Sequence, residues 1–181
     1  MKQLKKKLLT LVLSLVMVLG MAVPVLADET TTSTSTAATV TVTFKFNDVT
    51  FDGDNYYDIP VTTISTNVNT TTDATLYDTV VTALSQLGFS ESDYVFKTVT
   101  DYYDTSKTHE ALDSITYQNV TYATETHDTT NYYLGAGWTY TGTYGSSGVS
   151  YNTYNYLDSN TVAGTPANIT LTYGGYQYSK S

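Results

Sequence analysis

The first regular pattern in the chain is VTVTFKF, residues 40–46. Val40, Val42, Phe44 and Phe46 alternate with Thr41, Thr43 and Lys45. One face of an extended segment is then apolar and the other polar, which predicts a half-buried strand with Lys45 pointing outward. NDVTFDGDNYYD follows and predicts a turn at its Asp-Gly step. IPVTTISTNV predicts a second strand anchored by Val61 and Ile64, with Pro60 at its entry or on a sheet edge. The period then changes. Leu76, Val80, Ala83, Leu84 and Leu87 fall on one helical stripe. Thr75 stands at the N-cap with Asp78 three residues on, a variant of the capping box, and Gly88 stands where a left-handed residue ends a helix. Together these predict a helix over 76–87. Beyond it, DYVFKTVT and NITLTYGGYQY predict strands, and HEALDSITYQNVTYATE predicts a short helical turn that becomes extended.

The ends of the chain alter this picture. Lys2, Lys5, Lys6 and Lys7 precede an apolar run from Leu8 to Met21, and Pro24 leads into Val25-Leu26-Ala27. This predicts an export signal over residues 1–27, cleaved after Ala27, with an apolar run too short to span a membrane. Residues 28–39, DETTTSTSTAAT, offer nothing to bury and predict a spacer. The domain is then 40–181, secreted to the extracellular side and either free or associated with a cell surface. Removing the leader leaves four lysines against seventeen acids, a net charge of −13. That excludes nucleic acid as a partner and, after cleavage, an anionic membrane surface. The absence of cysteine excludes disulfides, thiolate metal sites and cysteine nucleophiles.

Candidate chemistry concentrates around the single tryptophan, in NYYLGAGWTYTGTYG. Trp138, with Tyr132, Tyr133, Tyr140 and Tyr144 around it and Gly135 and Gly137 before it, can form an aromatic platform for a planar ligand or a sugar ring. The favoured reading is a core or partly buried support, since alternation puts Trp138 and Tyr140 on one face, which is core if it meets the helix. Asp52, Asp54 and Asp58 cluster in the first turn, where oxygen ligands suit Ca²⁺ but the spacing also suits a solvated hairpin. His109 beside Glu110 and His127 beside Asp128 are expected as polar surface residues. No nucleophile-elbow serine or zinc-ligand spacing accompanies them, so no catalytic residues are expected. Asn69, Asn119 and Asn168 stand in Asn-x-Ser/Thr patterns, which carry little weight here.

A strand pair, one helix and further strands follow the order of a β-grasp domain. VTVTFKF, TDATLYDTVVTALSQLG, LDSI, GAGWTYTGTYG and ANITLTYGGY together resemble the transcobalamin-like β-grasp family of secreted Gram-positive proteins, similar to the C-terminal domain of transcobalamin and intrinsic factor. The resemblance implies an α+β, β-grasp-like fold, a mostly antiparallel sheet packed on one helix at about 76–87. It also implies a non-enzymatic binding module with a small-molecule partner, a corrinoid or another planar compound, near the tryptophan segment. The alternative is an adhesive, carbohydrate-binding or self-assembling surface protein with a cell-surface protein partner, for which the Tyr-, Thr- and Asn-rich composition argues. A hydrolase using carboxylates comes last.

Overall fold

β1 (Ala37–Asp52) and β2 (Asn55–Thr71) form a long antiparallel hairpin that turns through Gly53-Asp54. The computed structural model of the chain describes residues 35–144, 149–151, 156–163 and 167–180, and their side chains except at 143–144 and 149–151. The expected leader, its expected cleavage site and most of the expected spacer lie outside the described residues. The alternation holds: Val40, Val42, Phe44 and Phe46 are fully buried, while Lys45 is exposed. The strand starts earlier than its clearest pattern, and the burial of Ala38 makes the end of the Thr/Ser spacer part of the sheet. The second strand departs from expectation. Phe46 faces Thr62 but Asn47 faces Pro60, so Val61 is the extra residue of a bulge. Val61 is therefore 49% exposed and anchors nothing, whereas Ile64 packs against the core. Pro60 lies on an edge strand, where its missing N–H costs no ladder bond.

The helix α1 (Leu76–Gln86) is bounded by the signals its sequence carries. The Thr75 hydroxyl accepts the Asp78 N–H at 3.0 Å and donates to the Asp78 carboxylate at 2.7 Å. At the other end, Gly88 takes φ +89°, its N–H donates to Ser85 O and the Phe89 N–H to Leu84 O, a Schellman motif. Leu76, Thr79, Val80, Ala83 and Leu84 are the buried face.

A small antiparallel sheet follows: β3 (Tyr94–Thr100), β4 (Thr108–Tyr117) and β5 (Val120–Ala123). β4 is extended from Thr108 and pairs with β3 at His109 and Glu110, so the helical turn expected there is absent. The β3–β4 connection is held by carboxylates. Asp101 accepts the N–H groups of Tyr103 and Asp104, and Asp104 takes the Ser106 hydroxyl at 2.6 Å and the Lys107 ammonium at 3.0 Å. The Ser106 hydroxyl, then Lys107, draw the Asp104 carboxyl from 3.8 down to about 2. A lowered folded value stabilises the fold above the unfolded pKa, and that contribution disappears as pH falls through the folded one. Melting temperature should therefore fall between about pH 4 and about pH 2, and Asp104→Asn should shrink the fall. A thermal denaturation series over that range checks it.

The chain then forms β6 (Glu125–Thr126), β7 (Tyr132–Tyr144), β8 (Val149–Tyr151), a 3-10 turn at Leu157–Ser159, and β9 (Ala167–Ser179). The main sheet runs β2-β1-β9-β7, with β6 and β8 sharing the far side of β7. β9 is parallel to β1 from Val40↔Ala167 to Lys45↔Thr172, and antiparallel to β7. A first hairpin, a helix, and a last strand returning parallel beside the first make the fold α+β and β-grasp-like, extended by the three-stranded sheet. The rings of Tyr117 and Tyr122 from that sheet pack on Phe46, while Tyr77 of α1 packs on Phe96 of β3. Where β1 pairs with the far half of β2 the opposite face of the main sheet is polar: Thr41 and Thr39 donate to the amide oxygens of Asn67 and Asn69 across the hairpin, at 2.9 and 3.1 Å.

Candidate functional site

Trp138 lies where the two sheets meet. Its even position in β7 puts the ring on the core side, edge-on to Phe46 at 5.3 Å and Phe44 at 6.5 Å and tilted against Tyr173 at 5.7 Å. The indole N–H donates to the Tyr122 carbonyl at 2.9 Å, and the Tyr173 hydroxyl donates to the Ala123 carbonyl at 2.8 Å. Both bonds tie the main sheet to β5. Burial pushes the Tyr173 phenol up to about 12, so it remains a donor through the neutral range. Trp138 is only half-buried, because one side of the ring borders open space.

That space exists because β7 has a bare stretch. β6 covers Gly135 and Ala136, β8 covers Gly142 to Tyr144, and no strand pairs with that side of Gly137–Thr141 among the described residues. A cleft of about 260 Å³ opens there, with Gly137, Trp138 and Thr139 on one side, Lys97 and Asp113 on the other, and Tyr176 above. Lys97 and Asp113 form an ion pair at 2.8 Å across the small sheet. A second hollow of about 100 Å³ continues past Trp138 toward Tyr140, Tyr156 and Leu157.

The cleft opens beside an aromatic surface on the outer face of the main sheet. Tyr133 and Tyr178 are directly opposite each other on β7 and β9, each 53% exposed. Tyr176 continues the row, 5.9 Å from Tyr178, and lies over Gly135, where a side chain would collide with its ring. The Lys180 ammonium sits 4.8 Å above the Tyr133 ring, and its position is fixed by Asp128 and the Thr129 carbonyl.

The residues expected around the tryptophan thus separate. Tyr133, Gly135, Gly137 and one side of Trp138 belong to the cleft and its platform. Tyr140 is buried on the core side, and Tyr132 is half-buried on the face opposite Tyr133. Tyr144 lies in β7, with its side chain outside the described residues. Tyr176, Tyr178, Lys97 and Asp113 were missed. The alternation in YGGYQY placed Tyr176 and Tyr178 on one face, but nothing local says which face stays open.

The first turn does not gather its acids. Asp54 accepts the Asn131 amide at 3.0 Å, and Thr129 and Asn131 hold its carboxyl below the ordinary range. Asp58 accepts the Gly175 N–H at 2.8 Å. No group of His, Asp and Glu that could hold a metal ion occurs among the described residues. His109 differs from the expected surface histidine. Its side chain is 12% exposed, with Nε2 3.0 Å from Asp101, Nδ1 3.0 Å from both Asp158 and the Ser159 hydroxyl, and the Tyr156 ring stacked at 4.0 Å. It joins the β3–β4 hairpin to the 3-10 turn. His127 is exposed and stacks on Phe51 at 4.5 Å.

No family model matches the chain, and neither a curated protein nor a solved structure does. Among the described residues no helix is long and apolar enough to cross a membrane.

Proposed function

We propose that the protein is a secreted, non-enzymatic module that binds neutral carbohydrate on the outer face of its main sheet. The observation that carries this reading is the exposed pair Tyr133 and Tyr178, continued by the half-buried Tyr176 to the cleft beside Gly137. Tyrosine faces bury the apolar C–H side of a pyranose, and their hydroxyls and nearby polar groups meet its oxygens. Lys97, Asp113, Thr124 and Thr139 supply those groups at the cleft. The strong negative charge disfavours anionic polymers and leaves neutral glycans as the ligand class. A corrinoid stacked on Trp138 is less well supported. The indole is engaged with Phe44, Phe46 and Tyr173, its N–H is used, and both hollows are smaller than the roughly 300–1,000 Å³ of an ordinary small-molecule pocket.

Affinity electrophoresis through soluble neutral polysaccharides, with pull-down on insoluble ones, tests the proposal. Aromatic packing is worth about 0.5–1.5 kcal/mol beyond area burial, so Tyr133→Ala and Tyr178→Ala should each weaken binding by up to about tenfold. Both side chains are exposed, so the fold should survive their loss. Failure to bind any neutral glycan, together with quenching of Trp138 fluorescence by a corrinoid, would favour the small-molecule reading.

A further inference from the structure

We infer that the protein pairs with a second copy of itself through the outer edge of β2. β2 ends the main sheet, and no strand lies beyond it among the described residues. Its outward N–H and C=O groups form a template for another strand. Proteins ordinarily blunt such an edge by making it short, by placing lysine or proline on it, or by a bulge. β2 is 17 residues long, and its proline and bulge protect only the end near the turn. From Val61 to Thr71 it carries no proline and no charge.

Two further observations name the occupant. The uncharged run extends from Ile59 to Thr72, between Asp58 and Asp73. In a chain with seventeen acids, copies repel one another over most approaches, and this edge is where two can meet with little opposing charge. Tyr57, Ile59 and Val61 also stand at alternate positions on this strand, each about half exposed at 54%, 53% and 49%. They lie at the protected end near the turn, so they border the open edge of residues 62–71 as apolar surface rather than forming part of it. Antiparallel pairing of β2 with β2 about a two-fold axis uses the same surface on both copies and joins the two main sheets into one.

Sedimentation velocity on the exported protein tests this. A concentration-dependent dimer is expected, tightening as salt rises from about 0.01 M to about 1 M because repulsion between the acidic copies is screened. Ser65 and Asn67 are exposed beside the edge on the polar face, so Ser65→Glu with Asn67→Glu brings like charges together across the axis. The dissociation constant should rise at least about tenfold, with the circular dichroism spectrum unchanged. Val61→Glu, at the exposed bulge, should act in the same direction, and Thr141→Glu, on β7, should have no effect. A monomer at every concentration and salt, or a dimer that both edge variants leave intact, would overturn the inference.

Discussion

Trp138→Ala should lower the stability of the domain by about 3 kcal/mol and its melting temperature by roughly 6–12 °C. Full truncation of a buried aromatic costs about 3–5 kcal/mol, and the lower end applies because one side of this ring borders the cleft. The loss has two parts. The space between Phe44, Phe46 and Tyr173 would be left unfilled, and the Tyr122 carbonyl would lose its donor. Trp138→Phe keeps an aromatic ring but loses the five-membered ring with its N–H, so it removes the whole hydrogen bond and only part of the packing, for about 1–3 kcal/mol. Urea denaturation of the three proteins measures both steps. Equal stability of the alanine variant and the wild type would show that the two sheets hold together without the indole.

Gly135→Ala should cost about 2–3 kcal/mol, and Gly137→Ala much less. A Cβ at Gly135 would meet the Glu125 backbone oxygen and the Tyr176 ring at once. A backbone oxygen cannot swing aside, so the pairing of Glu125 with Ala136 and Thr126 with Gly135 must open. Tyr176 would also be lifted off its seat, and glycan retention should fall with stability. At Gly137 the nearest atom to the same Cβ is the Thr124 hydroxyl at 3.5 Å, an ordinary contact. Parallel urea titrations of the two variants check the contrast, and similar losses would mean that the collision at Gly135 does not set the cost.

The sequence resolved what is local. The alternation at Val40–Phe46 and both ends of α1 depend on neighbours within a few residues, and the structure agrees with them in detail. Long-range choices were out of reach. The bulge that turns Val61 outward is a slip between two strands, visible only once Phe46 and Pro60 are both in register. His109 read as a surface residue because its partners Asp101 and Asp158 arrive from other elements. Trp138 fitted a core better than a platform, and it packs on Phe44, Phe46 and Tyr173 while its other side borders the cleft. The platform itself rests on Tyr176 and Tyr178, far along the chain from Tyr133, which the antiparallel pairing of β7 with β9 brings opposite Tyr178.

The parallel pairing of β1 with β9 also sets when the domain can form. β1 borders β9, so the centre of the main sheet stays vacant until β9 has emerged. Contacts so distant along the chain are slow to form. During synthesis β1 and β7 would each present a bare edge where β9 belongs, and the main sheet would stay in two halves until β9 was made.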